Sequence, residues 1–244
     1  MTHVMAKGAN ISLTAAAVRA VLRWTATPGV PDVDVSALLL GADGKVGADA
    51  DFVFYNQPRH PSGLVRHLPK QQAAGGGGDL SDLIEIDLAK LPPEVDRVVL
   101  AASAEGGSFL AVPQLRLLLH DTTGRTTTGR ADELEPLIEF AVTDPGNVTA
   151  LVCAEVYRRD GAWKFRAVGQ GYATGLVGLA TDFGITVDDE DTPGHYATTE
   201  QQPPRPDPRD EPGTYTLAPA TPMPTSPPPP PPLPPHQPGY GYPQ

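Results

Sequence analysis

Between residues 17 and 169 the apolar side chains come in short runs separated by turn-forming stretches, and this spacing restricts the fold more than any other feature of the chain. The run 33–40 shows the pattern best. Val33, Val35 and Ala37 alternate with Asp32, Asp34 and Ser36 before three leucines close the run. A period of two puts the valines on one face of a strand and the carboxylates on the other. Further strands are expected at 17–24, 52–55, 83–88, 97–104, 115–120, 137–142, 148–158 and 163–169. Connections such as Asp160-Gly161 are too short for a crossover helix, so neighbouring strands should run antiparallel. The expectation is an all-β fold, a sandwich of two antiparallel sheets in which each half-apolar strand has one face to bury. One short helix is expected at 174–183, where Leu176, Leu179, Ala180 and Phe183 recur at helical spacing and Gly184 supplies the stop.

Proline sets the domain boundary. Nineteen of the 29 prolines fall in residues 191–244, including Pro227 to Pro232 in one run. Such a stretch favours extended polyproline II over a packed core, so a sandwich domain at 1–190 and a disordered proline-rich tail at 191–244 are expected. Within the domain, residues 59–82 read as a long irregular region that contains four consecutive glycines.

The formal net charge is −11, of which −8 lies in residues 1–190. A phosphate backbone is held chiefly by Lys and Arg, so nucleic acid is not an expected partner. No apolar run is long enough to span a membrane, and the first residues lack the charged start and apolar core of a secretion signal. A cytoplasmic location is therefore expected. The single cysteine, Cys153, excludes an internal disulfide framework and sits in an apolar run suited to packing.

Asp32 and Asp34 lie about 6.5 Å apart on one strand face. Such a pair suits either a hard cation, calcium above all, or an ordinary solvated strand surface. Asp43, Asp49, Asp51, Asn56, Asp79 and Asp82 are further oxygen donors nearby in sequence, with no EF-hand spacing among them. An enzyme would have to use His60, His67, His120, Asp121 or Glu155, and nothing in their spacing marks an acid–base pair or a metal triad, so no catalysis is expected.

Several ordered segments resemble the TerD family of bacterial tellurite-resistance and stress-response proteins. Lys7-Gly8-Ala9-Asn10-Ile11-Ser12-Leu13 is similar to the family's opening Lys-Gly-x-Asn-x-x-Leu. Asp32-Val33-Asp34-Val35-Ser36-Ala37 resembles its Asp-Leu-Asp-Ala-Ser-Ala strand, and Asp51-Phe52-Val53-Phe54-Tyr55-Asn56 matches its next segment. Glu155 to Arg159 and Trp163 to Tyr172 resemble the closing signature, so the likeness runs from about residue 5 to 187. The resemblance implies a calcium-binding β-sandwich without enzymatic activity. It also implies action among other stress-response proteins, sometimes at the inner membrane surface. Matched by position, Asp32, Asp34, Asp51, Asn56 and Asp82 are the implied metal residues. The chain departs from the family where an acidic loop is usual: Lys70 stands where a carboxylate is expected, Asp82 is the one carboxylate kept at 80–82, and the acidic segment usual after the next strand is replaced by Ala104-Glu105-Gly106-Gly107-Ser108. The alternative is an interaction module of the same fold whose metal site has degenerated.

Overall fold

The computed structural model describes residues 1–72, 78–125 and 134–185. The expected boundary at 190, the tail at 191–244 and three of the four glycines of the run lie outside them. Twelve strands and one helix are described: β1 (His3–Val4), β2 (Asn10–Leu13), β3 (Val18–Thr25), β4 (Asp32–Leu40), β5 (Phe52–Val53), β6 (Val65–Gln72), β7 (Asp79–Ile86), β8 (Arg97–Glu105), β9 (Arg116–Asp121), β10 (Ile138–Ala141), β11 (Ala150–Arg159), β12 (Ala162–Tyr172) and α1 (Gly175–Asp182).

They form two six-stranded sheets, ordered β1-β10-β9-β3-β7-β6 and β2-β12-β11-β8-β4-β5. Pairing is antiparallel throughout except for the two-residue β1, which runs parallel to β10. Alternation explains the packing. In β3, Val18, Ala20, Leu22 and Trp24 enter the core between the sheets, and Val21 packs on the opposite face with Leu83 and Leu118. In β4, Val33, Val35, Ala37 and Leu39 enter the same core, whereas Leu38 and Leu40 face outward beneath Leu179 of α1. The helix therefore covers one half of that outer face and leaves the Asp34 end of β4 to other groups. Asp160 and Gly161, both at positive φ, make the tight β11–β12 turn, as a two-residue hairpin with right-handed strand twist requires.

β6 is a strand where an irregular region was expected, and β7 begins at Asp79 rather than at residue 83. β6 carries polar residues on both faces and a proline, so no period of two shows. In β7 the inward position 82 is an aspartate, which hides the alternation of Leu80, Ile84 and Ile86.

Candidate functional site

β5 pairs with β4 only at Ala37 and Leu38, which leaves the Asp32 end of β4 without a strand on that side. Side chains from the other sheet close the gap. Asp82 of β7 is completely buried, and its Oδ2 accepts the Val35 N–H at 2.7 Å. Its Oδ1 accepts the Leu83 N–H and lies 2.8 Å from Nε2 of His67, which is itself buried but not aligned for a hydrogen bond.

β6 loses register between Leu68 and Gln71, where Pro69 has no N–H to offer the ladder. The irregularity brings Lys70 over β4. Its Nζ lies 2.7 Å from Asp32 Oδ1 and 2.8 Å from Asp34 Oδ1, a single ammonium shared by two carboxylates. Burial pushes the Asp34 carboxyl above the usual range against the pull of Lys70, and Asp32 and Asp82 push it the same way. Burial works against the charged Lys70 ammonium, yet the hydrogen bonds it donates to Asp32 and Asp34 raise it above the ordinary value.

The other two implied ligands are elsewhere employed. Asp51 Oδ2 accepts the N–H groups of Gly47 and Ala48 at 2.9 Å, and Oδ1 lies 3.1 Å from His60 Nε2. Asn56 is exposed and borders a groove on the outer face of the second sheet. Among the described residues, no three Asp, Glu, His or Cys side chains converge in a way that could hold a metal ion. Calcium takes six to eight oxygens at about 2.3–2.6 Å. The donors as they stand do not fit such an ion, because the nearest oxygens of Asp32 and Asp34 hold an ammonium and both oxygens of Asp82 hold backbone N–H groups.

Cys153 is fully buried in its apolar run, and that burial pushes its thiol up to about 12. Glu155 lies between Arg97 and Arg166, 3.2 and 3.6 Å away. Sequence reasoning missed Glu105, which stands opposite Asp32 across the β4–β8 pair and adds a third carboxylate at this end. Only the strand register could have revealed it.

A two-sheet sandwich whose acidic strand is met by an ammonium from the opposite sheet is thus the kind of protein described. It belongs to the TerD family: the TerD domain matches residues 1–183. The chain is similar to the tellurium resistance protein TerD of Serratia marcescens, with 38% identity over 198 residues, covering 76% of this chain and 98% of that protein. General stress protein 16U of Bacillus subtilis is 32% identical over 164 residues, covering 64% and 79%. The crystal structure of a homologue of telluride resistance protein (TerD) from Streptomyces coelicolor A3(2) has the same fold. Its TM-score is 0.52 at 20% identity, over 68% of this chain and 95% of that one.

Proposed function

We propose that this chain is a non-enzymatic stress-response module that works by binding other proteins, and that the Lys70 ammonium stands where a divalent cation would be held. One observation carries the reading: Lys70 Nζ lies within 2.8 Å of both Asp32 and Asp34. A tethered ammonium supplies one positive charge without the entropy cost of capturing an ion, and it joins β6 of one sheet to β4 of the other. Family membership supports the stress-response role, and the partners on this reading are other stress-response proteins in the cytoplasm or at the inner membrane surface. Among the described residues, no helix is long and apolar enough to cross a membrane.

The competing reading is a calcium protein that uses Asp32 and Asp34. Calorimetric and thermal titration of the apo protein with calcium separates the two. The wild type should give neither heat nor a change in midpoint at millimolar calcium. Lys70→Asp should acquire a calcium-dependent rise, about 2.7 kcal/mol at a free concentration one hundred times Kd. A wild-type response abolished by Asp32→Asn with Asp34→Asn would overturn the proposal in favour of a working calcium site.

A further inference from the structure

The outer face of the second sheet carries a groove of about 740 Å³, within the size range of ligand sites. Its floor has the hydroxyls of Ser36 and Ser103, one wall has Phe54 and Tyr55, and the facing wall is Val177 of α1. Phe52 and Phe54 stack with centroids 4.6 Å apart, and Tyr55 meets Phe54 edge-on at 5.6 Å. These rings make a firm aromatic corner. Tyr55 is nonetheless 50% exposed and Val177 57% exposed, unusual for large apolar side chains facing each other across a concave surface.

At the Asp34 end of β4 the groove is acidic. Asp34 and Glu105 line it, and no Lys or Arg does among the described residues. Asp34 shares Lys70 with Asp32, and Glu105 forms no ion pair among the described residues. Three carboxylates against one ammonium leave this end short of positive charge. Asp34 lies four residues along β4 from Leu38, which is opposite Phe52, and because β5 runs antiparallel the chain beyond Phe52 leads back along β4 toward Asp34.

We infer that the groove binds an extended segment of a partner protein that carries both a basic side chain and an aromatic one. The inference rests on the reading of this chain as an interaction module and names the chemistry of its partner. The basic group would meet Asp34 and Glu105, and the ring would pack between Tyr55 and Val177. A small cation would meet the carboxylates and leave the aromatic rings uncovered. Strand addition at β5 is not the mode, because Gln57 Nε2 already donates to the carbonyls of Phe52 and Asp49 and so blocks that edge.

The test is an NMR titration of the ¹⁵N-labelled full chain, in chelator, with the peptide amides Arg-Ser-Ser-Trp and Trp-Ser-Ser-Arg. Saturable shifts at Tyr55, Val177 and Glu105 are expected with at least one of the two orders. Glu105→Lys should weaken binding at least fivefold and Tyr55→Ala at least threefold, with the dispersed spectrum of the sandwich retained in both. Three results would overturn the inference: equal binding of Glu-Ser-Ser-Trp, shifts that bypass the groove, or no binding at millimolar peptide. Tryptamine binding as tightly as the peptides would overturn it too, and would assign the groove to small organic cations. Chelator keeps this outcome separate from the calcium titration, which alone decides the role of Lys70.

Discussion

Lys70 and Asp34 are both raised, so this site favours the bound proton on either group. For Asp34 the sign is unfavourable to stability: as pH rises past the ordinary value of 3.8 the unfolded chain gives up its proton first, and ionising the half-buried carboxyl in the fold costs free energy. For Lys70 the contribution is present below 10.5 and fades as pH rises through the higher folded value. His120 behaves in the opposite way. It is buried in β9, opposite Arg19, and burial first, then Arg19 and Arg23, lowers it from 6.5 to about 4. The imidazole therefore folds neutral, and stability is lost as pH falls from 6.5 toward 4, by about 3 kcal/mol in all. Urea unfolding at pH 7 and pH 4 should show His120→Gln losing less between the two than the wild type does. Equal losses would mean that His120 takes no part. The alternation of β4 made the Asp32–Asp34 pair legible in the sequence, and Lys70 stood out as a basic residue in an acidic position. That its amine reaches both carboxylates depends on a register break in β6, for which the sequence carries no periodic signal.

At the scale of the element, β4 is a strand whose second edge is only half paired, and Asp82 replaces the missing partner at Val35. A buried N–H left without an acceptor costs about 1–3 kcal/mol. Asp82→Ala should lose that much in chemical denaturation and speed hydrogen exchange at the Val35 amide. Asp82→Asn, which keeps an acceptor, should lose less, and equal behaviour of the two would show that the bond to Val35 is not what Asp82 contributes. The same residue explains why β7 was only partly legible. A carboxylate at an inward position breaks the apolar alternation on which strand recognition relies, so the strand was expected to start after it. The long central strands β3, β4, β8 and β11 were legible because each has an apolar face against the shared core. β1, β2 and β6 lie at sheet edges, where half of the backbone pairing and most of the burial are absent, and their sequences carry correspondingly little pattern.

At the scale of the whole molecule, the question is whether the sandwich needs anything beyond its own two sheets and helix. Among the described residues, the buried apolar side chains run from Leu13 to Ala180. The last strand, β12, ends at Tyr172, and α1 then covers the outer cluster around Leu38, Leu40 and Leu179. Residues 191–244 hold nineteen of the 29 prolines, and proline has no N–H with which to extend either sheet. Their share of the charge is also small, −3 of the −11, so removing them leaves the acidic field of the domain nearly unchanged. A chain ending at residue 190 should therefore fold to the same sandwich with nearly the same thermal midpoint. For a domain of this size about 1 kcal/mol corresponds to roughly 2–4 °C, so the expected difference is smaller than that. Thermal unfolding of the full and shortened chains, followed by circular dichroism, measures it directly. A midpoint lowered by 5 °C or more would show that residues beyond 190 contribute to the stability of the fold.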